Sequence, residues 1–152
     1  MTTPAPDLNV ELRVPDGPWT GPIPVPDLDS AAFWEGLRLH RMVIMRCDEC
    51  AYWIHPPIAG CPRCQSLALT AVEVCGQGTI YSFTLVNREF APGIAPPYVA
   101  AYVDLDEQPS LRVLTNIVNA RLSEIEIGMP VRAVYHDIGD STLLYFEPAG
   151  ER

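Results

Sequence analysis

The chain has 152 residues, an apolar fraction of 48% and a net charge of −9. That length allows one domain, or one small domain with an appendage, and the apolar fraction suffices for a real core. No apolar run reaches the roughly 18 residues of a membrane-spanning helix, and Met1 to Pro6 lack the basic-then-apolar order of a secretory leader.

The charge is unevenly spread. Residues 1–29 sum to −4, residues 30–64 to +1 and residues 65–152 to −6. A nucleic-acid binder needs a basic face to neutralise phosphates, and most of this chain lacks one. All ten basic residues are arginine, for which a GC-rich genome is explanation enough.

Residues 1–28 hold seven of the sixteen prolines, as a disordered tail would. Yet Leu8, Val10, Leu12 and Val14 alternate with Asn9, Glu11 and Arg13, the period of a half-buried strand. From Pro15 to Pro26 proline dominates, which favours extended, polyproline-like chain. Such an arm cannot bury itself alone. It is expected to pack on the protein's own surface or on a partner.

Residues 29–41 read as a helix capped by Asp29 or Ser30. Phe33, Trp34 and Leu37 share one face, with Glu35, Arg38 and Arg41 mostly on the other. Two adjacent aromatics on so short a helix need a cover: the neighbouring module, or a partner at an interface.

Met42 to Arg46 is a short apolar strand leading into Cys47-Asp48-Glu49-Cys50. Ten residues later comes Cys61-Pro62-Arg63-Cys64. Two Cys-x-x-Cys pairs this close converge four thiolates on one point, the closed tetrahedral shell of a structural zinc ion. Such a site contributes on the order of 10–16 kcal/mol to folding, enough to staple a ribbon over residues 42–71. Four sulfurs leave no open position, so no activated water is expected. Disulfides and a rubredoxin-like iron site are the alternatives. His55 is expected to stay outside the shell. His40 and His136, like His55, are read as supporting their neighbours or lying at the surface, with no nucleophile paired to them, and Cys75 as a small buried residue.

From Val72 the pattern turns to β. Strands are expected at Ile80–Arg88, Tyr98–Leu105, Leu111–Val118, Val131–His136 and Leu143–Phe146. A turn falls at 104–110 and a short helical turn at 122–127, ended by Gly128. Three strands, a helical insertion and two strands is the order of a five-stranded OB-type barrel, here over residues 72–149. Gly76 and Gly78 suit a bend in a long first strand. The loop from Glu89 to Pro97 carries Phe90 and Ile94 among three prolines, which marks a contact surface.

Trp34-Glu35-Gly36-Leu37, both cysteine pairs, His55-Pro56-Pro57, Gly76 to Thr84, Pro97-Tyr98, Ile127 to Val131 and Phe146-Glu147-Pro148 occur in one order. Over residues 30–149 that order resembles the acyl-CoA-associated OB-fold family with a rubredoxin-like zinc ribbon, long known as a domain of unknown function. The resemblance implies a mainly β fold and a non-catalytic partner of a thiolase-fold enzyme, in a heterotetramer or larger assembly; metal-bound cysteine thiolates separately fit a cytoplasmic, reducing compartment. It implies that the partner holds the catalytic residues while this chain stabilises it and helps shape an acyl-CoA site. A thiolase-like aldolase of steroid side-chain degradation is the first expectation. Family members carry glycine after the second cysteine of each pair; this chain has Ala51 and Gln65 there.

The residues agree in what they lack: no Ser-His-Asp or Cys-His arrangement, no recognisable carboxylate pair and no open metal site. Coenzyme A carries phosphates, so Arg38, Arg41, Arg46 and Arg63 are its candidate contacts. Phe33, Trp34, Leu37, Phe90 and Ile94 are the candidate partner interface. Cys47, Cys50, Cys61 and Cys64 are the expected zinc ligands. The competing reading is a single-stranded nucleic-acid module stacking bases on Tyr81, Phe83, Tyr98 and Tyr102, against which the acidic barrel speaks. A third is an enzyme acting alone.

Overall fold

The computed structural model describes residues 7–150. The first six residues of the expected arm lie outside them. In chain order the elements are β1 (Glu11–Leu12), α1 (Ala31–Arg38), β2 (Val43–Cys47), β3 (Trp53–Ile54), β4 (Leu69–Glu73), β5 (Gln77–Val86), β6 (Tyr98–Leu105), β7 (Arg112–Ile117), β8 (Ala120–Arg121), a 3-10 turn (Leu122–Glu124), β9 (Pro130–Ile138) and β10 (Ser141–Pro148). The fold is mainly β.

Five strands close into a barrel in the order β10-β7-β6-β5-β9. The ten-residue β5 makes closure possible, because it pairs with β6 from Gly78 to Val86 and with β9 over Gln77–Thr79. Its register shifts between Ile80 and Ser82, a bulge at Tyr81 that lets one strand bend around both halves. Gly78 allows the tight approach to β6: a Cβ there would sit 2.4 Å from the Asp104 carbonyl oxygen. Gly76 makes the bend before the strand at φ +68°. β10 closes the barrel, antiparallel to β9 and parallel to β7.

A three-stranded sheet, β3-β2-β4, forms the ribbon. The sequence marked only β2. Met42 and Ile44 belong to the same buried cluster as Ile80, Val103, Val131 and Phe146, so ribbon and barrel share one core. A second, smaller cluster gathers Cys47, Ile54 and Cys61.

The arm lies on the protein's own surface. β1 pairs antiparallel with β8, the Leu122 and Ser123 N–H groups donate to the Val10 and Leu8 carbonyls, and Leu12 is buried. The alternation at 8–14 thus marks a real inward face, though only two residues make a ladder. Trp19 then sits edge-on to His136, whose ring stacks on Tyr145. His136 is therefore covered rather than free at the surface.

α1 starts at Ser30 but without the side-chain cap expected there. The Ser30 hydroxyl donates instead to Asp27 Oδ1 at 2.5 Å, and the Asp27 N–H donates to the Ser30 hydroxyl at 3.1 Å. At the far end His40 takes φ +54°, and the Arg41 N–H returns to the Gly36 carbonyl at 2.9 Å. Gly36 is required here, since a Cβ would meet Val43 at 2.7 Å.

Candidate metal centre

The four cysteines reach one point because the chain builds the same knuckle twice. In the first, the Ala51 N–H donates to the Cys47 carbonyl and the Cys47 N–H to the Tyr52 carbonyl, both at 2.9 Å. In the second, Gln65 N–H to Cys61 carbonyl and Cys61 N–H to Ser66 carbonyl repeat the pattern, again at 2.9 Å. Ala51 at φ +61° and Gln65 at φ +64° occupy the left-handed position of each knuckle, which glycine takes at no steric cost. The knuckle geometry survives, at the cost of two strained side-chain-bearing residues.

All four sulfurs lie within 4.8 Å of one another. The Cys47–Cys64 pair is 3.5 Å apart and the Cys50–Cys61 pair 3.6 Å. A tetrahedral shell with zinc–sulfur bonds of about 2.3 Å has edges of roughly 3.8 Å, so the donor set fits a zinc-sized ion. These separations are far beyond a sulfur–sulfur bond, so all four cysteines are free thiols in this structure.

Electrostatics lead to the same chemistry. Burial acts to raise the Cys61 thiol, but the backbone N–H groups of Cys64 and Arg63 and the neighbouring sulfurs outweigh it and bring it to about 7. At Cys64 the Ser66 N–H lowers the thiol. The neighbouring Cys47 sulfur, burial, and the Cys50 and Cys61 sulfurs overcome this and push it up to about 12. Four thiolates this close repel one another, and only a cation at their centre lets all four ionise. When bound, the ion cross-links the knuckles and neutralises thiolate charge, with no position left for substrate.

The centre is tied to the barrel by a residue the sequence did not single out. Gln108, in the β6–β7 turn, accepts from the Trp53 N–H at 3.0 Å and donates to the Trp53 carbonyl at 3.2 Å. One side-chain amide thus imitates a strand along the open edge of β3. Beside it, Glu107 accepts from the Cys75 N–H at 2.8 Å. Cys75, expected to be buried, is exposed: it points outward between buried Val74 and Gly76. His40 bonds Asp137 at 2.9 Å and stacks on Tyr135, fastening the helix end to β9. His55 lies outside the sulfur cluster, 5.2 Å from the Phe33 ring, with burial lowering its pKa to about 4.

The four candidate arginines do not converge. Arg38 is bonded to Glu35 and Arg41 to Glu73, so both are neutralised within the chain. Arg46 lies over the Trp53 ring at 5.4 Å. Among the described residues Arg63 makes no ion pair. Of the candidate interface, Leu37 is fully buried and Phe33 packs against the core, so these two face inward and serve the ribbon and barrel. Trp34 is partly exposed, Ile94 half-buried and Phe90 73% exposed. The stacking set for bases is split as well. Tyr81 and Tyr102 are exposed, Phe83 packs on the core, and Arg112, bonded to Asp104, covers the Tyr81 ring.

Comparison with known proteins agrees with this architecture. Residues 34–70 match the family described as ChsH2, rubredoxin-like zinc ribbon domain, and residues 71–136 match ChsH2, C-terminal OB-fold domain. A probable enoyl-CoA hydratase alpha subunit of Thermomonospora curvata is 37% identical over 129 residues, which is 84% of this chain and 40% of that protein. The 3-oxo-4,17-pregnadiene-20-carboxyl-CoA hydratase alpha subunit of Mycobacterium tuberculosis is 35% identical over 79% of this chain and 38% of its own length. The chain therefore spans about two fifths of the length of these two curated relatives. A solved structure described as Ltp2-ChsH2(DUF35) aldolase contains a chain 37% identical to this one, with a TM-score of 0.77, covering 84% of this chain and 99% of that one.

Proposed function

We propose a function whose premise is family: this chain belongs to the ChsH2 (DUF35) family of zinc-ribbon OB-fold proteins. On our reading it is the accessory subunit of an acyl-CoA enzyme complex. It holds one structural zinc on Cys47, Cys50, Cys61 and Cys64. It stabilises a thiolase-fold catalytic partner and forms one wall of that partner's acyl-CoA site. The reaction we assign to the complex is aldol cleavage of an acyl-CoA in steroid side-chain degradation. Arg63 and Arg46 are the cations we assign to coenzyme A phosphates, since Arg38 and Arg41 are already paired.

The observation that carries this reading is the likeness, over 84% of this chain and 99% of the other, to a chain of the solved Ltp2-ChsH2(DUF35) aldolase. The chemistry supports it. A closed four-sulfur shell organises structure without performing hydrolysis. The shared core of ribbon and barrel, clamped by Gln108, makes a rigid body suited to holding another protein in place.

The test is expression of the untagged chain with its neighbouring genes, purification under native conditions, and identification of what travels with it. Co-elution of a thiolase-fold subunit with one zinc per copy of this chain is the expected result. A chain that elutes alone and binds single-stranded DNA with steep salt dependence would return the nucleic-acid reading.

A further inference from the structure

The arm is held at both ends and bare in the middle. Upstream, Trp19 lies on His136 and donates its indole N–H to the Pro22 carbonyl at 3.0 Å. Thr20 and Gly21 press against Gly93, where a Cβ would meet the Gly21 nitrogen at 2.4 Å. Downstream, the reciprocal Asp27–Ser30 bonds fix the entry to α1. Between these anchors runs Pro22-Ile23-Pro24-Val25-Pro26. Ile23 is 63% exposed, Val25 90% and, just beyond, Leu28 98%. Among the described residues, the Ile23 and Val25 N–H groups have no hydrogen-bond partner.

Three large aliphatic side chains at such exposure on a fixed segment are not the scattered apolar residues of an ordinary surface. Three alternating prolines remove most of the freedom the segment would otherwise lose on binding, so it is ordered before any partner arrives. Beside it lies a groove of about 430 Å³ lined by Pro24, Pro26, Trp34, Arg38 and Asp140 among others.

The charge around the strip chooses the occupant. Asp27, Asp29, Glu35 and Asp140 are exposed about it, and Arg38, bonded to Glu35, is the cation of that rim. A second copy of this chain would set acids against acids, in a molecule that already carries −9. A different protein with arginine or lysine at the edge of an apolar furrow would meet both features.

We propose that Pro22–Leu28 is a pre-ordered docking strap for the catalytic subunit of the complex, read by an apolar furrow with a basic rim. This rests on the accessory-subunit reading above. The strap places Ile23, Val25 and Leu28 in the furrow and offers the Ile23 and Val25 N–H groups to partner carbonyls.

The experiment compares the full chain with a Val25→Asp, Leu28→Asp variant, each co-expressed with the thiolase-fold subunit. Both side chains are almost wholly exposed, so melting temperature and zinc content of the variant should match the parent. Partner retained on the column should fall at least tenfold, and amide exchange at Ile23 and Val25 should slow in the parental complex. If both proteins retain the partner equally, the strap is wrong and the accessory role stands. If the parent retains no thiolase-fold subunit, both readings fall. If the isolated parent self-associates and the variant does not, the strap serves a second copy and the proposal is overturned.

Discussion

Replacing Gln108 with alanine should loosen the ribbon from the barrel without touching a metal ligand. The side chain makes two hydrogen bonds to the Trp53 backbone, at 3.0 and 3.2 Å, on the outer edge of β3. A hydrogen bond of this kind contributes roughly 1 kcal/mol net, and partly buried backbone groups left without a partner cost more. The loss should therefore be about 2 kcal/mol, a fall of roughly 4–8 °C in melting temperature for a chain of this size. Urea unfolding of the zinc-loaded protein, followed by tryptophan fluorescence, is the assay. The Gln108→Glu variant sharpens it. A carboxylate still accepts from the Trp53 N–H, but it faces the Trp53 carbonyl without a donor, so it should be no more stable than the alanine variant. A Gln108→Ala protein within about 0.5 kcal/mol of the parent would refute the clamp.

Glycine at the two strained knuckle positions should help rather than harm. Ala51→Gly and Gln65→Gly each relieve about 1–2 kcal/mol of left-handed strain, less the 0.4–1 kcal/mol that glycine adds to unfolded-chain entropy, so each should gain about 0.5–1 kcal/mol by denaturant titration. Cys61→Ser should lose the metal, solubility and partner capture together without removing a catalytic group; normal assembly of the metal-free variant would show that the four-sulfur staple is not needed to hold the partner. His55 should make stability depend on pH. Burial holds its folded-state pKa at about 4, while the unfolded ring titrates near 6.5. As pH falls through that window the unfolded state takes up a proton that the folded state does not. Stability should drop by up to about 3 kcal/mol between pH 6.5 and 4, and His55→Phe should flatten that part of the profile.

The parts of the molecule legible from sequence are those where a local pattern carries the fold. The cysteine spacing marked the four sulfurs that the fold brings together, because two knuckles of four residues have few ways to present them. Tyr98–Leu105 alternates cleanly against the barrel core, and its strand spans those residues. β3 and β4 were missed because they owe their existence to β2 and the knuckles rather than to periodicity; Leu69 to Glu73 has no strict alternation. Gln108 was invisible for another reason: a turn glutamine that imitates backbone leaves no trace in composition or spacing. The His40–Asp137 contact spans 97 positions and depends wholly on the closed barrel. Leu37 was misassigned to an interface because one helix face looks the same whether it is covered by its own barrel or by another chain. The bare strip at Ile23, Val25 and Leu28 was hidden in a proline-rich run whose upstream end is fixed by contacts to distant β9 and to the Glu89–Pro97 loop.

On the proposed function, the chain organises an acyl-CoA site whose catalytic groups belong to another protein. Turnover of a steroid side-chain acyl-CoA aldol substrate should be measured with the purified chain alone, the thiolase-fold subunit alone, and the two together at equal concentration. The expected result is no turnover by this chain alone, weak or unstable activity of the partner alone, and full activity only in the mixture. Sustained turnover by the isolated chain, or a partner equally active without it, would overturn the accessory role.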